Sequence, residues 1–139
     1  MDAQEMKDTV RRWLTGIFDD GNFALIEELT SQDYSFHLPR PGKISREAFP
    51  DLVTGFRTAV PDLHNTFHEQ FVDGNVVVTL GTTRGTHDGP YGDIPATGNS
   101  ITSEWVIITR FDGDRISEDR EIYDEMGVMM QMGAIPGVE

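Results

Sequence analysis

The stretch HNTFHEQFV at residues 64–72, the dipeptide DG at 73–74 and the stretch NVVVTLGTTRGT at 75–86 decide the fold class. β-Branched and aromatic residues fill both runs, and Asp73-Gly74 between them is a tight-turn dipeptide. The three together predict an antiparallel hairpin. The same grammar returns at Ser100–Phe111 and Arg115–Tyr123, joined around Asp112-Gly113. A Gly/Pro-rich loop, Gly85–Gly98, separates the two pairs.

Moving outward, the first half of the chain has a different period. Val10, Trp13, Leu14, Ile17 and Phe18 recur at three- and four-residue spacings within Glu5–Phe18, which predicts an amphipathic helix ended by Asp19-Asp20-Gly21-Asn22. A second short helix is expected over about Phe23–Leu29. Tyr34–Leu38 alternates as a short strand that stops at Pro39 and Pro41. Ser45 is a candidate cap for a third helix from about Arg46 to Val60, with Pro50 in its first turn or two. At the far end Met126, Met129 and Met130 share one face of a short helix ending near Gly133. Helices first and antiparallel strands afterwards give an α+β domain, with three N-terminal helices roofing a curved antiparallel sheet. A curved sheet roofed by helices encloses a pocket of the kind that takes small molecules.

With 139 residues, one domain spanning 1–139 is expected, and 37% hydrophobic residues supply its core. Unbroken apolar runs reach about four residues, as at Trp105–Ile108, far short of the roughly 20 that a membrane span needs. No secretory signal is visible at Met1–Lys7, so the cytoplasm is the simplest location. The absence of cysteine excludes disulfides, thiol nucleophiles and thiolate metal sites. The formal net charge of −13, from 24 acids against 11 bases, repels phosphate backbones and argues against nucleic acid as a partner.

His37, His64, His68 and His87 raise the question of a metal. On a strand, His64 and His68 stand ~13 Å apart, too far to share one ion, so no metal site is expected. Gly85, Gly89, Gly92 and Gly98 lack the following helix and the lysine of a phosphate cradle and read as turn residues.

Three stretches resemble the SnoaL-like polyketide cyclases of the NTF2-like superfamily. They are Asp33–Pro39 after two helices; Gly85–Gly89 continuing to Gly92–Gly98; and Arg110-Phe111, Ile116–Glu118, Asp124 and Gln131–Gly133. The resemblance implies a cone-shaped fold and cofactor-free intramolecular aldol ring closure of a polyketide ester. It also implies a general acid/base at the position matching Asp124. Where many relatives carry a tryptophan two residues after the strand glutamate, this chain has Arg120, which suggests a more polar or anionic substrate.

Asp124 ends the last strand, where its carboxyl could project into the cavity and shuttle a proton if burial raises its pKa. The alternative is that Asp124 caps the C-terminal helix. Arg120 shares a strand face with Asp124 and could hold a distant anionic group, or pair with a surface acid. Whether Trp105 faces the same way depends on the hairpin register, because a slip of one residue exchanges the faces. His37 is a candidate for orienting a substrate carbonyl, and His87 for closing the pocket mouth. Isomerisation, dehydration and epoxide hydrolysis are neighbouring chemistries, and a non-catalytic ligand-binding domain is the alternative class. The uncovered sheet face makes a homodimer the expected assembly.

Overall fold

The computed structural model describes residues 1–134. Helix α1 (Ala3–Leu14) begins at a capping box. The Glu5 amide donates to Asp2 Oδ1 at 2.8 Å, and the Asp2 amide donates to Glu5 Oε2 at 3.0 Å. Its buried face is Met6, Val10, Trp13 and Leu14. The helix continues as one π-helical turn, Thr15–Asp19, which keeps Ile17 and Phe18 on the core side. Gly16 lies in this turn, where an added Cβ would meet Leu25 Cδ1 at 2.1 Å, so only glycine lets α2 (Ala24–Leu29) approach so closely.

Strands β1 (Thr30–His37) and β2 (Lys43–Ser45) pair antiparallel, and α3 (Phe49–Ala59) follows. The third helix thus begins three residues later than the expected Arg46, because residues 43–45 are used as a strand. Ser45 Oγ accepts the Ala48 amide at 3.2 Å in the turn before the helix, and Pro50 sits in its first turn. Then come β3 (His64–Asp73), β4 (Val76–Thr86), β5 (Ser100–Asp112), β6 (Arg115–Tyr123) and the short α4 (Glu125–Gln131).

Both expected hairpins form. Asp73 opposes Val76 and Asp112 opposes Arg115, with Gly74 and Gly113 at φ of 59° and 62°. The six strands run in the order β2-β1-β6-β5-β4-β3. One pairing departs from the all-antiparallel expectation. β1 lies parallel to β6, so the sheet is mixed. This joint brings the N-terminal strand against the C-terminal one and carries the helices onto one sheet face.

Beneath the helices the core is an aromatic cluster. Trp13 meets Tyr34 edge-on at 5.6 Å between ring centroids and stacks on Phe49 at 5.8 Å. Phe18 and Phe36 complete it at 6.0 Å from one another. No helix among the described residues is long and apolar enough to cross a membrane.

Candidate active site

The site is set by which side chains of β6 point inward. Ile116 is fully buried and opposes Phe111, but the next pair is Glu118 with Arg110, so Ser117 is an extra residue in β6. Beyond this bulge the alternation is reset. Asp119, Glu121 and Tyr123 face the helices, opposite Thr109, Ile107 and Trp105. Glu118, Arg120 and Ile122 face away from them.

Asp119 is fully buried, and three donors converge on its carboxyl group. Trp13 Nε1 and the Tyr34 hydroxyl donate to Oδ2 at 2.8 and 2.7 Å, and the Thr109 hydroxyl donates to Oδ1 at 2.5 Å. Burial raises the pKa of Asp119, and the three hydrogen bonds oppose that rise by favouring the anion. The Tyr34 phenol is pushed well up by burial first and by the Asp119 charge second.

One step along the same face, Glu121 lines a cavity of about 110 Å³. Most of the wall is aliphatic or aromatic, including Leu14, Phe18, Phe56 and Ile107, and among the described residues its polar groups are those of Glu121, Tyr91, Tyr123, Asn65, Thr83, Ser103 and the Trp105 indole N–H. Several of these are already engaged. Trp105 Nε1 donates to Thr83 Oγ1 at 2.9 Å and to Asn65 Oδ1 at 3.2 Å, and Asn65 Nδ2 donates to Asp19 Oδ1 at 2.6 Å. Among the described residues, no lysine, arginine or histidine lines the cavity.

Glu121 is half-buried and lines the cavity. Burial pushes its pKa up to about 8, and the neighbouring Asp119 charge adds to the rise. The Tyr123 phenol is raised chiefly by burial, with Tyr91 and the nearby acids adding to it. Tyr91 is raised by burial, and its contact with Tyr123 partly offsets the effect. Both phenols therefore stay protonated and available as donors at neutral pH.

The residues singled out from the sequence are dispersed by this register. Trp105 lines the cavity opposite Tyr123. Asp124 does not line it. Its side chain is exposed, and Oδ1 accepts the Gly127 amide at 2.9 Å as the cap of α4. A carboxylate at the chain exit of β6 satisfies the orphan amides of the next helix more readily than it turns inward. Arg120, on the outer face, is half exposed and lies 3.7 Å from Glu118. An anionic group inside the cavity would therefore meet no guanidinium from this strand.

His37 is on the same outer face, with Nε2 at 2.9 Å from Ser35 Oγ and 3.2 Å from Glu118 Oε1. Both contacts use one ring nitrogen, so this trio cannot relay a proton through the imidazole as a hydrolase triad does. His87 is fully buried in the loop after β4. Its Nδ1 lies 2.9 Å from Thr97 Oγ1, its backbone bonds to Asn99, Thr97 and Gly98, and its ring is not part of the cavity wall. His64 and His68 go to separate partners, Asp19 and Thr82. Glu121, Tyr91 and Tyr123 were not recognisable as a site in the sequence. The available signal was a run of acids at 118, 119 and 121 in a strand otherwise suited to burial.

A sheet cone roofed by helices around an apolar cavity with one ionisable carboxyl group defines the NTF2-like, ketosteroid isomerase-like class of pocket proteins. Within it, this chain belongs to the SnoaL-like polyketide cyclase family, whose model matches residues 8–132. Solved structures agree. IdmH, a candidate polyketide cyclase from Streptomyces antibioticus, is 26% identical with a TM-score of 0.79, over 92% of this chain and 98% of its own. A candidate polyketide cyclase from Acidithiobacillus ferrooxidans is 24% identical with a TM-score of 0.83, over 96% and 98%. A protein of ketosteroid isomerase-like fold from Catenulispora acidiphila shares 18% identity and a TM-score of 0.75, over 91% and 93%. No curated protein matches the chain by sequence.

Proposed function

We propose that the protein is a cofactor-free cyclase that closes a ring in a small carbonyl compound by aldol-type chemistry, with Glu121 as the proton shuttle. The observation that carries this reading is a carboxyl group with its pKa pushed up to about 8, facing an apolar cavity. The Glu121 carboxylate removes a proton from carbon next to a carbonyl. The resulting enolate attacks a second carbonyl carbon of the same molecule, forming the new C–C bond. The alkoxide so formed takes back the proton from the Glu121 carboxylic acid. A base whose pKa approaches the working pH serves both halves. In this reading the Tyr91 and Tyr123 hydroxyls, kept protonated, donate to the enolate oxygen.

Asp119 acts here as a positioning residue, locked by Trp13, Tyr34 and Thr109. The small volume admits the reacting end of a substrate. Phe56 and Tyr91 line both the cavity and an adjoining groove between α3 and the Pro90–Gly92 loop, which offers room for the remainder. The dimer expected from the sequence finds support in the outer sheet face. There Phe71, Val78, Ile108, Val106 and Ile122 form a continuous apolar strip across β3–β6, with Ile122 and Phe71 more than half exposed.

Exchange of α-protons for deuterium in a panel of keto esters, followed by proton NMR, tests the reading directly. Wild type should catalyse exchange and ring closure, with a rate that rises with pH and levels near pH 8. Glu121→Gln should lose at least 100-fold. Equal exchange by the two proteins would sink the assignment.

A further inference from the structure

The cavity pairs one ionisable carboxyl group with aromatic walls. Among the described residues, Glu121 is its only carboxyl group, and no lysine, arginine or histidine is in the wall. The groups around Glu121 on each packed element are neutral or acidic. Asp119 and Tyr123 come from its own strand, Tyr34 from β1, Tyr91 from the loop after β4 and Glu125 from α4. Arg40 is the one cation whose field reaches Tyr91, and it is committed to Glu125, with its Nε 2.8 Å from Oε1. The cavity that Glu121 lines is also lined by the aromatic residues Phe18, Phe56, Tyr91, Trp105 and Tyr123.

Aromatic faces carry negative charge density and attract ammonium groups, most strongly where water is excluded. We propose that the cavity is also a binding site for hydrophobic ammonium compounds, in which the cationic head pairs with the Glu121 carboxylate inside the aromatic wall. The formal net charge of −13 favours the approach of such cations over that of anions. The proposal rests on the same reading of Glu121 as the ionisable group of the cavity. It adds a ligand class that competes with a neutral carbonyl substrate for the same space.

A permanent cation makes the pairing measurable. When the Glu121 carboxyl is protonated, binding must release that proton to solvent, so affinity depends on pH. Benzyltrimethylammonium and its uncharged isostere neopentylbenzene are the probes, titrated calorimetrically into the full chain from pH 6 to pH 9. The cation should bind at least tenfold more tightly than the isostere at pH 9. Its Kd should weaken about tenfold per pH unit below pH 8, with close to one proton released at pH 6.5. The isostere should show a flat profile.

Glu121→Gln should abolish the pH dependence for the cation and leave the isostere's affinity within threefold, a control that the cavity is intact. A cation that binds no better than its isostere at pH 9, or equally well to Glu121→Gln, overturns the proposal. If keto esters are turned over with Glu121 required while the cation shows no advantage, the ammonium site falls and the catalytic reading stands. If the cation binds as stated and no keto ester exchanges its α-protons, the ammonium site stands and the catalytic reading falls.

Discussion

Asp119 and Glu121 stand two residues apart on one face of β6, yet three hydrogen bonds converge on the first while only burial and its neighbour's charge act on the second. The same strand thus carries one carboxyl group fixed in the core and one left free to exchange a proton. Separate environments for paired acids are how a fold assigns them different work.

The free one should reveal itself in stability. Native Glu121 holds its proton up to about pH 8, whereas its ordinary value is 4.5. Between these limits the native state binds the extra proton, so this residue's contribution to stability declines as pH rises from about 4.5 to 8 and then levels. Glu121→Gln removes the decline. At pH 8.5 the variant should exceed wild type in stability by on the order of a few kcal/mol, measured by urea denaturation, with the difference vanishing near pH 4.5.

The fixed one should behave in the opposite sense. Asp119→Ala leaves the donors of Trp13, Tyr34 and Thr109 unpaired in the core, at an expected cost of about 3–5 kcal/mol. Thr109→Val removes one donor and should cost only ~1 kcal/mol. Similar losses in the two variants by denaturant titration would contradict the convergent network.

Asp124→Ala separates capping from chemistry. Loss of the bond to the Gly127 amide should cost about 1 kcal/mol of stability. Keto-ester turnover should stay within threefold of wild type. A loss of turnover comparable to that of Glu121→Gln would return the proton shuttle to Asp124.

Gly81 faces the Trp105 ring from β4, and a Cβ there would lie 2.3 Å from Trp105 Cζ2 and 2.8 Å from the Thr66 carbonyl oxygen. Gly81→Ala must therefore displace the indole and its bonds to Thr83 and Asn65. We expect a shifted tryptophan emission maximum, about 1–3 kcal/mol of destabilisation and weaker binding of cavity ligands.

The outer strip makes its own prediction. Ile122→Arg places a charge beside Val106, at the β6 end of the strip, without touching the cavity face. Light scattering should report a dimer for wild type and a monomer for the variant, with the fold retained by circular dichroism.

The fold was legible because its elements bury apolar residues with clean periods. Val10, Trp13 and Leu14 marked α1, and the two Asp-Gly dipeptides marked both hairpins. Of the candidate site, Trp105 was legible in the sequence, but the carboxyl group that lines the cavity was not, for two physical reasons. Hydrophobic alternation in Arg115–Tyr123 selects Ile116 and Ile122 as inward. Ser117 is an added residue that turns the face over between them, leaving Ile122 55% exposed and Glu121 inside. In addition, the inward positions of this strand are acids, the residue type that a pattern reading assigns to solvent. The parallel joint of β1 with β6 was equally hidden, since nothing local in either strand declares a partner so far along the chain.

The bond from Trp13 to Asp119 spans 106 positions. At common rates of synthesis the indole emerges roughly 5–20 s before the acid that it will bind. Until the last strand is delivered, the first helix has no anchor there and Glu121 does not yet exist as part of a chamber. The pocket thus arrives in one late stroke, so an unfinished nascent chain offers passing metabolites no half-built chamber.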